Sequence, residues 1–281
     1  DQLTFNVTGS NRVATLYVYN GSTLLKSFPA GGTSAQSITV DFVDNTLLIP
    51  ANTSKVITVK ADLYTNTTAV ADNEVDVAVG ILDADATGKS SGTQVTDTDD
   101  ISGNTHQYYR AYPKFTVNAS SPSGTLIPSS NTLLAIFDVT ATGSDDVTFT
   151  LGDGDLIVLN ISQSIGDSDG LLETFELRNY ENGTSLDTTA AGAAGTEIQS
   201  TTVTFDFTDA DFIVSAGTTK RLAVYSNTQE LEDTGDSIQV WLDDNAGANL
   251  TFSIDEVNTS TYDDAQIIFR GDIYAGAFSK P

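Results

Sequence analysis

The chain carries one sequence pattern twice, and this internal repeat constrains its fold more than any other feature. The segment LLIPANTSKVITVKA at 47–61 aligns without gaps on FIVSAGTTKRLAVYS at 212–226, and the apolar residues keep the same phase throughout. The alignment superposes Val40 on Phe205, Phe42 on Phe207, Ile49 on Val214 and Lys55 on Lys220. Self-similarity of this kind indicates a tandem array of one structural unit.

Four further pairs of segments extend the repeat over most of the chain. They are 3–10 with 156–164, 14–25 with 173–186, 73–85 with 236–247, and 108–115 with 273–281. Short runs of alternating apolar residues, such as Val75, Val77 and Val79, are separated by Gly, Asn and Asp, which is typical of β-strands joined by turns. The sequence therefore predicts an all-β protein of two tandem immunoglobulin-like antiparallel β-sandwich modules, at residues 1–111 and 112–281.

The two modules differ at their beginnings. Residues 115–151 precede the shared part of the second module and are expected to supply its first two or three strands, whereas the shared part of the first module begins at Leu3. A sandwich without its opening strands is expected to expose sheet edges and an apolar groove, and to aggregate unless another strand fills it. Two explanations stay open: the chain is cut from a longer array, or a strand from a neighbouring subunit completes the first module.

The charge of the chain excludes two classes of partner. With 38 acidic and 12 basic residues the formal net charge is −26, which repels the phosphates of nucleic acids and the anionic surface of a membrane. The longest apolar runs, such as TLLAIF at 132–137, are far shorter than the ~18–20 residues that span a bilayer. We therefore expect no nucleic-acid partner and no membrane insertion.

Cysteine and methionine are both missing from the sequence. The lack of Cys excludes disulfides and thiolate metal sites, and it favours a microbial cell-surface protein over the disulfide-rich secreted proteins of animals. The lack of Met indicates that Asp1 is either the end left by removal of a signal peptide or the edge of a fragment. An extracellular location at the cell surface is therefore expected.

A family resemblance rests on two strings of the second module. They are SSPSGTLIPSSNTLLAIFDVTATGSDDVT, which starts at Ser120, and TFDFTDADFIVSAGTTKRLAVYSNTQELEDTGDSIQVWLDD, which starts at Thr204. Both resemble the repeated immunoglobulin-like modules of large exported cell-surface proteins of candidate-phyla bacteria and of some archaea. The resemblance covers nearly all of the second module and most of the first. It implies a surface-layer, stalk, adhesin or filament role and carries no active-site motif.

The sequence offers little support for an enzyme. The only histidine, His106, lies in the polar stretch SGNTHQYY, where a loop position with a solvated ring is expected. A Ser-His-Asp triad could be built only around this residue, and no G-x-S-x-G elbow precedes it. Paired carboxylates of the glycosidase type are plentiful, but most lie in turn-like sequences. The Gly-rich pieces at 152–155 and 190–195 lack the lysine that phosphate binding requires.

Closely spaced aspartates are the positive signal for metal binding, since 30 of the 38 acidic residues are Asp. The candidate ligands are Asp83, Asp85, Asp97, Asp99, Asp100, Asp153, Asp155, Asp243 and Asp244, with Asp167, Asp169, Asp209 and Asp211 as further pairs. Alternate aspartates in a loop can turn two carboxylates towards one calcium ion. We expect at least one structural calcium ion. The preferred site is Asp97, Asp99 and Asp100, where a bound ion would stiffen the junction of the modules. Solvated turn aspartates are the alternative for any single pair, and a halophile's surface is a further explanation of the acidity.

The N-x-Ser/Thr pattern for N-glycosylation occurs at nine of the 17 asparagines, about twice the frequency expected by chance. The candidate acceptors are Asn6, Asn20, Asn52, Asn66, Asn118, Asn160, Asn182, Asn249 and Asn258. Modified sites would mark an exported protein, whereas Thr-rich strands also generate such triplets by chance.

Taken together, these patterns predict an extracellular structural protein that associates with copies of itself into a filament or a surface layer. We expect strand exchange to join the subunits and calcium-binding loops to stiffen them. The alternative is an adhesin or carbohydrate-binding module that recognises cell-surface glycans. Candidate sugar platforms are Tyr108, Tyr109 and Tyr112 beside Arg110, together with Trp241, although packing between modules and an ordinary position on a sheet explain these aromatic residues more simply.

Overall fold

The computed structural model describes residues 2–9, 12–30, 35–42, 47–64, 74–152, 154–164, 174–190, 200–243, 250–254 and 271–281. The chain divides into two compact units, residues 1–109 and 110–281. The predicted boundary between residues 111 and 112 falls two residues later. The first strand of the second unit begins at Ala111, so Arg110 and Ala111 belong to that unit.

The described residues of the first unit form eight β-strands. They are β1 (Gln2–Thr8), β2 (Val13–Asn20), β3 (Thr23–Pro29), β4 (Ala35–Asp41), β5 (Ile57–Leu63), β6 (Glu74–Thr87), β7 (Gln94–Asp97) and β8 (Thr105–Tyr109).

Two antiparallel sheets face each other in the first unit. One has the order β4-β1-β6-β7, with β8 also paired to β6, and the other has the order β3-β2-β5. Alternate residues of each strand point inwards, as Phe5 and Val7 do on β1 and Leu16 and Val18 do on β2, and all four side chains are buried. The core of the first unit therefore lies between these two sheets.

The second unit continues with fifteen strands. They are β9 (Ala111–Val117), β10 (Gly124–Thr125), β11 (Thr132–Gly143), β12 (Val147–Phe149), β13 (Leu156–Ser164), β14 (Thr174–Asn179), β15 (Ser185–Ala190), β16 (Ser200–Phe205), β17 (Phe212–Val214), β18 (Thr219–Ser226), β19 (Ser237–Leu242), β20 (Leu250–Thr251), β21 (Ser253–Ile254), β22 (Ile273–Tyr274) and β23 (Phe278–Ser279).

The second unit repeats the two sheets of the first and adds strands to them. The sheet β10-β23-β19-β13-β16 contains the counterparts of β4, β1 and β6, and the sheet β15-β14-β18-β11-β9 contains those of β3, β2 and β5. A small third sheet has the order β17-β12-β21. The pairings are antiparallel except for the two-residue pair of β10 with β23. The predicted all-β fold of two immunoglobulin-like sandwiches, the first without its opening strands, is confirmed.

Strand registers confirm the repeat residue by residue. On β2 and β5, Leu16 lies opposite Ala61, and on β14 and β18 the residues superposed on them, Phe175 and Ser226, also lie opposite each other. The predicted alignment of 108–115 with 273–281 is wrong, however. Ile101 bridges Ile81 as Ile273 pairs with Leu242, so the counterpart of 273–281 is 101–109 and not 108–115.

The turn before β5 and the turn before β18 share their hydrogen bonds as well as their sequence pattern. Asn52 and its counterpart Gly217 both adopt a left-handed backbone, with φ of 60° and 69°. In the first turn the Thr53 hydroxyl donates to the Pro50 carbonyl at 2.7 Å, and in the second the Thr218 hydroxyl donates to the Ser215 carbonyl at 2.6 Å. Asn is one of the few residues besides Gly that tolerate this conformation, which explains the substitution between repeats.

The cores of the two units differ in size. Among the described residues, eight hydrophobic side chains are buried in the first unit and 34 in the second. A cluster of phenylalanines fills part of the larger core. Phe149 stacks on Phe207 with ring centroids 4.9 Å apart, and Phe212 and Phe252 pack around it at 6.2 and 6.5 Å. The first unit is consequently an underfilled version of the second.

A polar cluster lies on the sheet that contains β14 and β18 in the second unit. The guanidinium of Arg178 donates to Glu176, contacts the amide oxygen of Asn131 at 3.1 Å and lies 4.2 Å from the ring centroid of Tyr225. The hydrogen bond from Arg178 lowers the pKa of the Glu176 carboxyl, against the opposite effect of partial burial.

The described residues contain no α-helix, and none of their segments is a helix long and apolar enough to cross a membrane.

We expect Asn52→Gly to leave the stability of the first unit unchanged or slightly raised, whereas Asn52→Ala lowers its free energy of unfolding by about 1 kcal/mol, because Ala is strained at positive φ. Gly217→Ala is the matched variant in the second unit and should lower the stability of that unit by a similar or larger amount. Differential scanning calorimetry of the full chain measures both. An Asn52→Ala variant as stable as the wild type would contradict the left-handed turn.

The Glu176–Arg178 pair predicts a specific pH dependence for the second unit. Because the folded pKa of Glu176 is lowered, its contribution is present above the unfolded pKa of about 4.3 and is lost as pH falls through the folded pKa. The stability difference between the wild type and Arg178→Met should therefore be constant above roughly pH 5 and shrink at lower pH. Urea unfolding followed by the fluorescence of Trp241 measures it, and Glu176→Gln should remove the same pH dependence. A difference that persists unchanged to the acid limit would contradict the assignment.

Candidate functional site

An open apolar groove lies between the two sheets of the first unit. Its volume is about 610 Å³. Its lining residues, which we call the module 1 groove, are Phe5, Leu16, Ile57, Val59, Lys60, Ala61, Leu63, Val77, Val79, Gly80, Ile81, Ile101, Ser102, Gly103, Asn104 and His106. The floor is the hydrophobic core itself, so the groove is the unfilled part of the sandwich.

The groove is open because β5 ends its sheet. In the second unit the counterpart strand β18 lies between β14 and β11, and β11 is followed by β9. In the first unit β5 pairs with β2, and the described residues place no strand on its other edge. The strands that would cover this edge correspond to β9, β11 and β12, and the described residues of the first unit contain no counterpart of them, as the repeat alignment predicts.

Apolar residues that are exposed or half-buried in the first unit have fully buried counterparts in the second unit. Ile49 is 52% exposed, whereas its counterpart Val214 is fully buried against β12. Val59 is half-buried and its counterpart Val224 is fully buried beneath β11. The same apolar residues are therefore present in both units, but only the second unit covers them.

Backbone groups at the turn before β5 show the same difference. In the second unit the amide of Gly217 donates to the Ala141 carbonyl at 3.0 Å, and the amide of Ala141 donates to the Thr218 carbonyl at 3.1 Å. Asn52 and Thr53 occupy the equivalent positions, and there the described residues provide no strand corresponding to β11. An unpaired edge of this kind is a template for strand addition.

One rim of the groove is held tightly against β6. The backbones of Ile101 and Ile81 exchange two hydrogen bonds of 2.8 Å. Two glycines permit this approach, because a Cβ on Gly80 would lie 2.8 Å from the Ile101 carbonyl oxygen and a Cβ on Gly103 would clash with the Val79 carbonyl oxygen. His106, predicted in a loop, lies on β8 in the same rim, and its side chain is exposed as expected.

The lining of the groove differs in charge from the rest of this acidic chain. Its described residues include no Asp or Glu, and its two basic or ionisable side chains are Lys60 and His106. The ammonium of Lys60 lies 5.2 Å from the ring centroid of Tyr19. The surface is consequently suited to an apolar segment that carries acidic or neutral flanks.

The predicted calcium ligands do not converge where they are described. No group of three or more His, Asp or Glu side chains lies close enough to hold a metal ion among the described residues. Asp97 accepts a hydrogen bond from the amide of Asp99 at 3.1 Å, and Asp85 accepts one from Gln2 and one from Thr96. Asp83, Asp99 and Asp100 are exposed, whereas Asp153 and Asp244, together with Asp167 and Asp169, lie outside the described residues.

The other described aspartates fix turns in the second unit. Buried Asp155 accepts a hydrogen bond from the amide of Thr150 at 2.8 Å, and Asp211 accepts one from the amide of Leu151 at 2.7 Å. Asp209 accepts a bond from the Ser185 hydroxyl, and Asp243 accepts one from the Asn160 amide at 3.2 Å. These contacts give the short Asp side chain a structural use that is independent of a cation.

The glycosylation candidates differ in the exposure and the hydrogen bonding of their side chains. Asn6, Asn52 and Asn182 are exposed, and Asn20 is partly exposed at the end of β2. Asn118 donates to Asp138 at 2.7 Å and accepts from Ser120, and Asn160 donates to Asp243, so both amides are engaged. Asn66, Asn249 and Asn258 lie outside the described residues.

The aromatic candidates lie on different strands. Trp241 lies on the face of β19 that points away from the core and stacks on Tyr274, with ring centroids 5.6 Å apart. Tyr274 is 52% exposed, and its hydroxyl donates to Asp272 at 2.6 Å. Tyr112 is half-buried on β9 and Arg110 pairs with Asp145, while the side chain of Tyr108 lies outside the described part of the chain.

Comparisons with known proteins do not assign the chain to a family. No family model matches the chain, and no curated protein matches it. Among solved structures, a chain described as the complete structure of manganese lipoxygenase of Gaeumannomyces graminis and partial structure of zonadhesin of Komagataella pastoris is 11% identical with a TM-score of 0.21, covering 98% of this chain and 82% of that one.

Two further solved structures are similar at the same low level. A chain described as BspA_C_WT is 8% identical with a TM-score of 0.18, and the C-terminal domain of the Streptococcus pyogenes antigen I/II-family protein AspA is 7% identical with a TM-score of 0.19. Each match covers 99% of this chain and 84% of the other. Scores this low carry no conclusion about function.

We expect the module 1 groove to bind a neutral apolar dye such as Nile red in the native state, because it presents uncovered hydrophobic surface. Leu63→Asp should weaken dye binding by about tenfold, since it places a charge in the lining. Ile127→Asp is the control, because Ile127 is 77% exposed on the second unit. Fluorescence titration of the three proteins checks this, and equal binding by all three would contradict an open groove.

Proposed function

We propose that this protein is an extracellular structural subunit whose first unit is completed by a β-strand from another polypeptide, and that this strand addition builds a filament or a surface layer. The observation that carries the proposal is the module 1 groove beside the unpaired edge of β5. β-augmentation combines backbone hydrogen bonds along an edge with side chains that fill alternate pockets, and both elements are available here.

The physical argument is the cost of leaving the groove open. Every second residue of an added strand would form backbone hydrogen bonds with β5, worth about 0.5–1.5 kcal/mol each. Each apolar side chain that it buries would add about 1.5–3 kcal/mol. Part of this gain is offset by the ordering of the incoming segment, at about 1–2 kcal/mol per residue. The net gain therefore depends on how well the occupant fills the groove.

Composition supports an exported location for this proposed subunit. The absence of Cys suits a microbial surface protein, and exposed acceptor triplets at Asn6, Asn52 and Asn182 suit a glycosylated one. The resemblance to modules of exported cell-surface proteins agrees with this location. Calcium bound by the aspartate-rich loops remains part of the proposal as a stiffening element.

A binding role is the second candidate, because one observation favours it. The stacked pair of Trp241 and Tyr274 lies on an outward sheet face beside the hydrogen-bonded Asn160 and Asp243, an arrangement of aromatic and polar groups that sugar rings can use. In that case the protein is an adhesin or carbohydrate-binding module. Binding of the isolated chain to a glycan array, lost in Trp241→Ala, would favour this candidate over assembly.

Assembly is tested with a variant of the free edge. Ala61 is exposed and lines the groove on β5, so Ala61→Asp places an unpaired charge where a strand would pack. With the polypeptide that carries the strand present, we expect concentration-dependent oligomers of the wild type by light scattering, filaments or sheets by electron microscopy, and at least tenfold weaker association of Ala61→Asp. The control is Ser37→Asp, on the exposed face of the edge strand β4. Monomers under all conditions would contradict self-assembly.

Calcium is tested in the same samples. If the aspartate loops bind calcium and stiffen the subunit, a chelator should lower the melting temperature and make any filaments less regular, and added calcium should restore both. Identical melting and morphology with and without the chelator would remove calcium from the proposal and leave the strand-addition part untouched.

A further inference from the structure

We infer that the occupant of the module 1 groove is a strand–bend–strand segment of the same kind as residues 132–149, lying antiparallel to β5 in one defined register. This inference rests on the proposed function, which it deepens by naming the chemistry and the alignment of the partner. It is drawn from the second unit, where the structure shows such a segment in place.

The second unit shows how the position is filled. There β11 pairs along β18 over eight residue pairs, with Phe137 opposite Leu222 and Ala135 opposite Val224. The bend after β11 leads into β12, which pairs with β17 by placing Val147 opposite Val214. Both strands are apolar and buried, as Leu134, Phe137, Val139 and Phe149 show.

Hydrogen bonds on the two sides of β11 define the register. The amide of Asn118 donates to the Ile136 carbonyl at 2.9 Å, so the backbone groups of Ile136 face β9. Ala141 bonds to Gly217 and Thr218 on the other side, and the backbone groups of β11 residues with odd numbers, such as Phe137, therefore face β18.

The repeat transfers this register to β5. Leu222 and Val224 of β18 correspond to Ile57 and Val59, whose backbone N–H and C=O groups are consequently the ones that face the free edge. An occupant in the same register places its counterpart of Phe137 opposite Ile57 and its counterpart of Ala135 opposite Val59. Its residue corresponding to Ile136 then lies opposite Thr58.

Side chains of the occupant follow from the same alternation. Residues that lie opposite each other on paired strands point to the same face. Ile57 and Val59 line the groove, so the occupant's counterparts of Phe137 and Ala135 enter it, while the counterpart of Ile136 points away. The occupant therefore needs small or large apolar residues at every second position over about seven residues.

The bend and second strand would cover the remaining exposed residues. Ile49 corresponds to Val214, so the counterpart of β12 would bury it. Phe42 corresponds to Phe207, the ring on which Phe149 stacks at 4.9 Å, and it is only partly buried in the first unit. An aromatic residue at the end of the occupant would reproduce this stack.

The charges of the groove lining also favour an occupant that resembles residues 132–149. Residues 131–151 contain Asp138, Asp145 and Asp146 and no basic residue. The groove lining contains Lys60 and His106 and no carboxylate among the residues that the structure describes. A segment of this composition meets no like charge in the groove, although most other surfaces of a chain with net charge −26 would repel it.

The occupant is an additional segment carried by another polypeptide, and not the 132–149 segment of a second copy. In the second unit β11 of this segment is paired on both sides, with β18 and with β9, and Leu134, Ile136 and Phe137 are buried. A copy that donated it would open its own second unit while closing the first unit of its neighbour, so no net burial would result.

A synthetic peptide with the sequence of residues 131–151 tests the inference on the full chain. We expect it to bind in fluorescence anisotropy and the peptide variant Phe137→Asp to bind at least about tenfold more weakly, because the ring at that position enters the groove. The peptide variant Ile136→Asp is the matched control and should retain affinity, because that side chain points away. Equal binding of all three peptides would overturn the inference.

Cross-linking tests the register independently of affinity. The chain has no Cys, so Thr58→Cys supplies a single thiol. A peptide with Ile136→Cys should form a disulfide with it under mild oxidation, since the two positions form a close, non-hydrogen-bonded pair. Peptides with Leu134→Cys or Asp138→Cys should cross-link several-fold less. Equal yields from the three peptides would overturn the register.

The outcomes separate this inference from the proposed function. Peptide that binds and cross-links to a chain that stays monomeric supports the occupant and contradicts self-assembly. Assembly that is lost in Ala61→Asp, with no binding of peptide, supports the function and overturns the occupant. A disulfide between full chains carrying Thr58→Cys and Ile136→Cys would show exchange of residues 132–149 and overturn the additional segment as the source.

Discussion

The pairing of one strand edge, that of β18 in the second unit and of its counterpart β5 in the first, determines how complete each sandwich is. In the second unit β11 satisfies the edge of β18 and simultaneously supplies the apolar side chains that close the core. In the first unit the same edge belongs to β5, and the described residues leave it without a strand. The groove and the exposed apolar residues of the first unit follow from the absence, among its described residues, of counterparts of β9, β11 and β12.

Because the two units share one fold, the second unit serves as a reference structure for the first. Because the two copies share registers and turns, a difference between equivalent residues can be attributed to the missing strands instead of to a different fold. Val214 and Ile49 have similar side chains in equivalent positions, and only the presence of β12 separates a buried residue from an exposed one.

Much of this was predictable from sequence, for physical reasons. The alternation of apolar residues and the repeat at Asn52 and Gly217 depend on local rules, and they predicted the fold class and the incomplete first unit. The pairing of residues 101–109 with β6 was not predictable, because it depends on tight contact at Gly80 and Gly103, which leaves no periodic signal. The aspartates show the same limit, since spacing along the chain does not reveal that Asp155 and Asp211 accept hydrogen bonds from backbone amides.

The left-handed turn before β5 has one more consequence. Where the second unit uses Gly217, the first unit uses an asparagine that is also the acceptor of an N-x-Ser/Thr triplet. Only a few residue types tolerate this backbone, and among them asparagine alone can carry an N-linked sugar. A glycan attached at Asn52 would stand beside the open edge and hinder any incoming strand. One position therefore combines a conformational requirement with a glycosylation triplet beside the open edge.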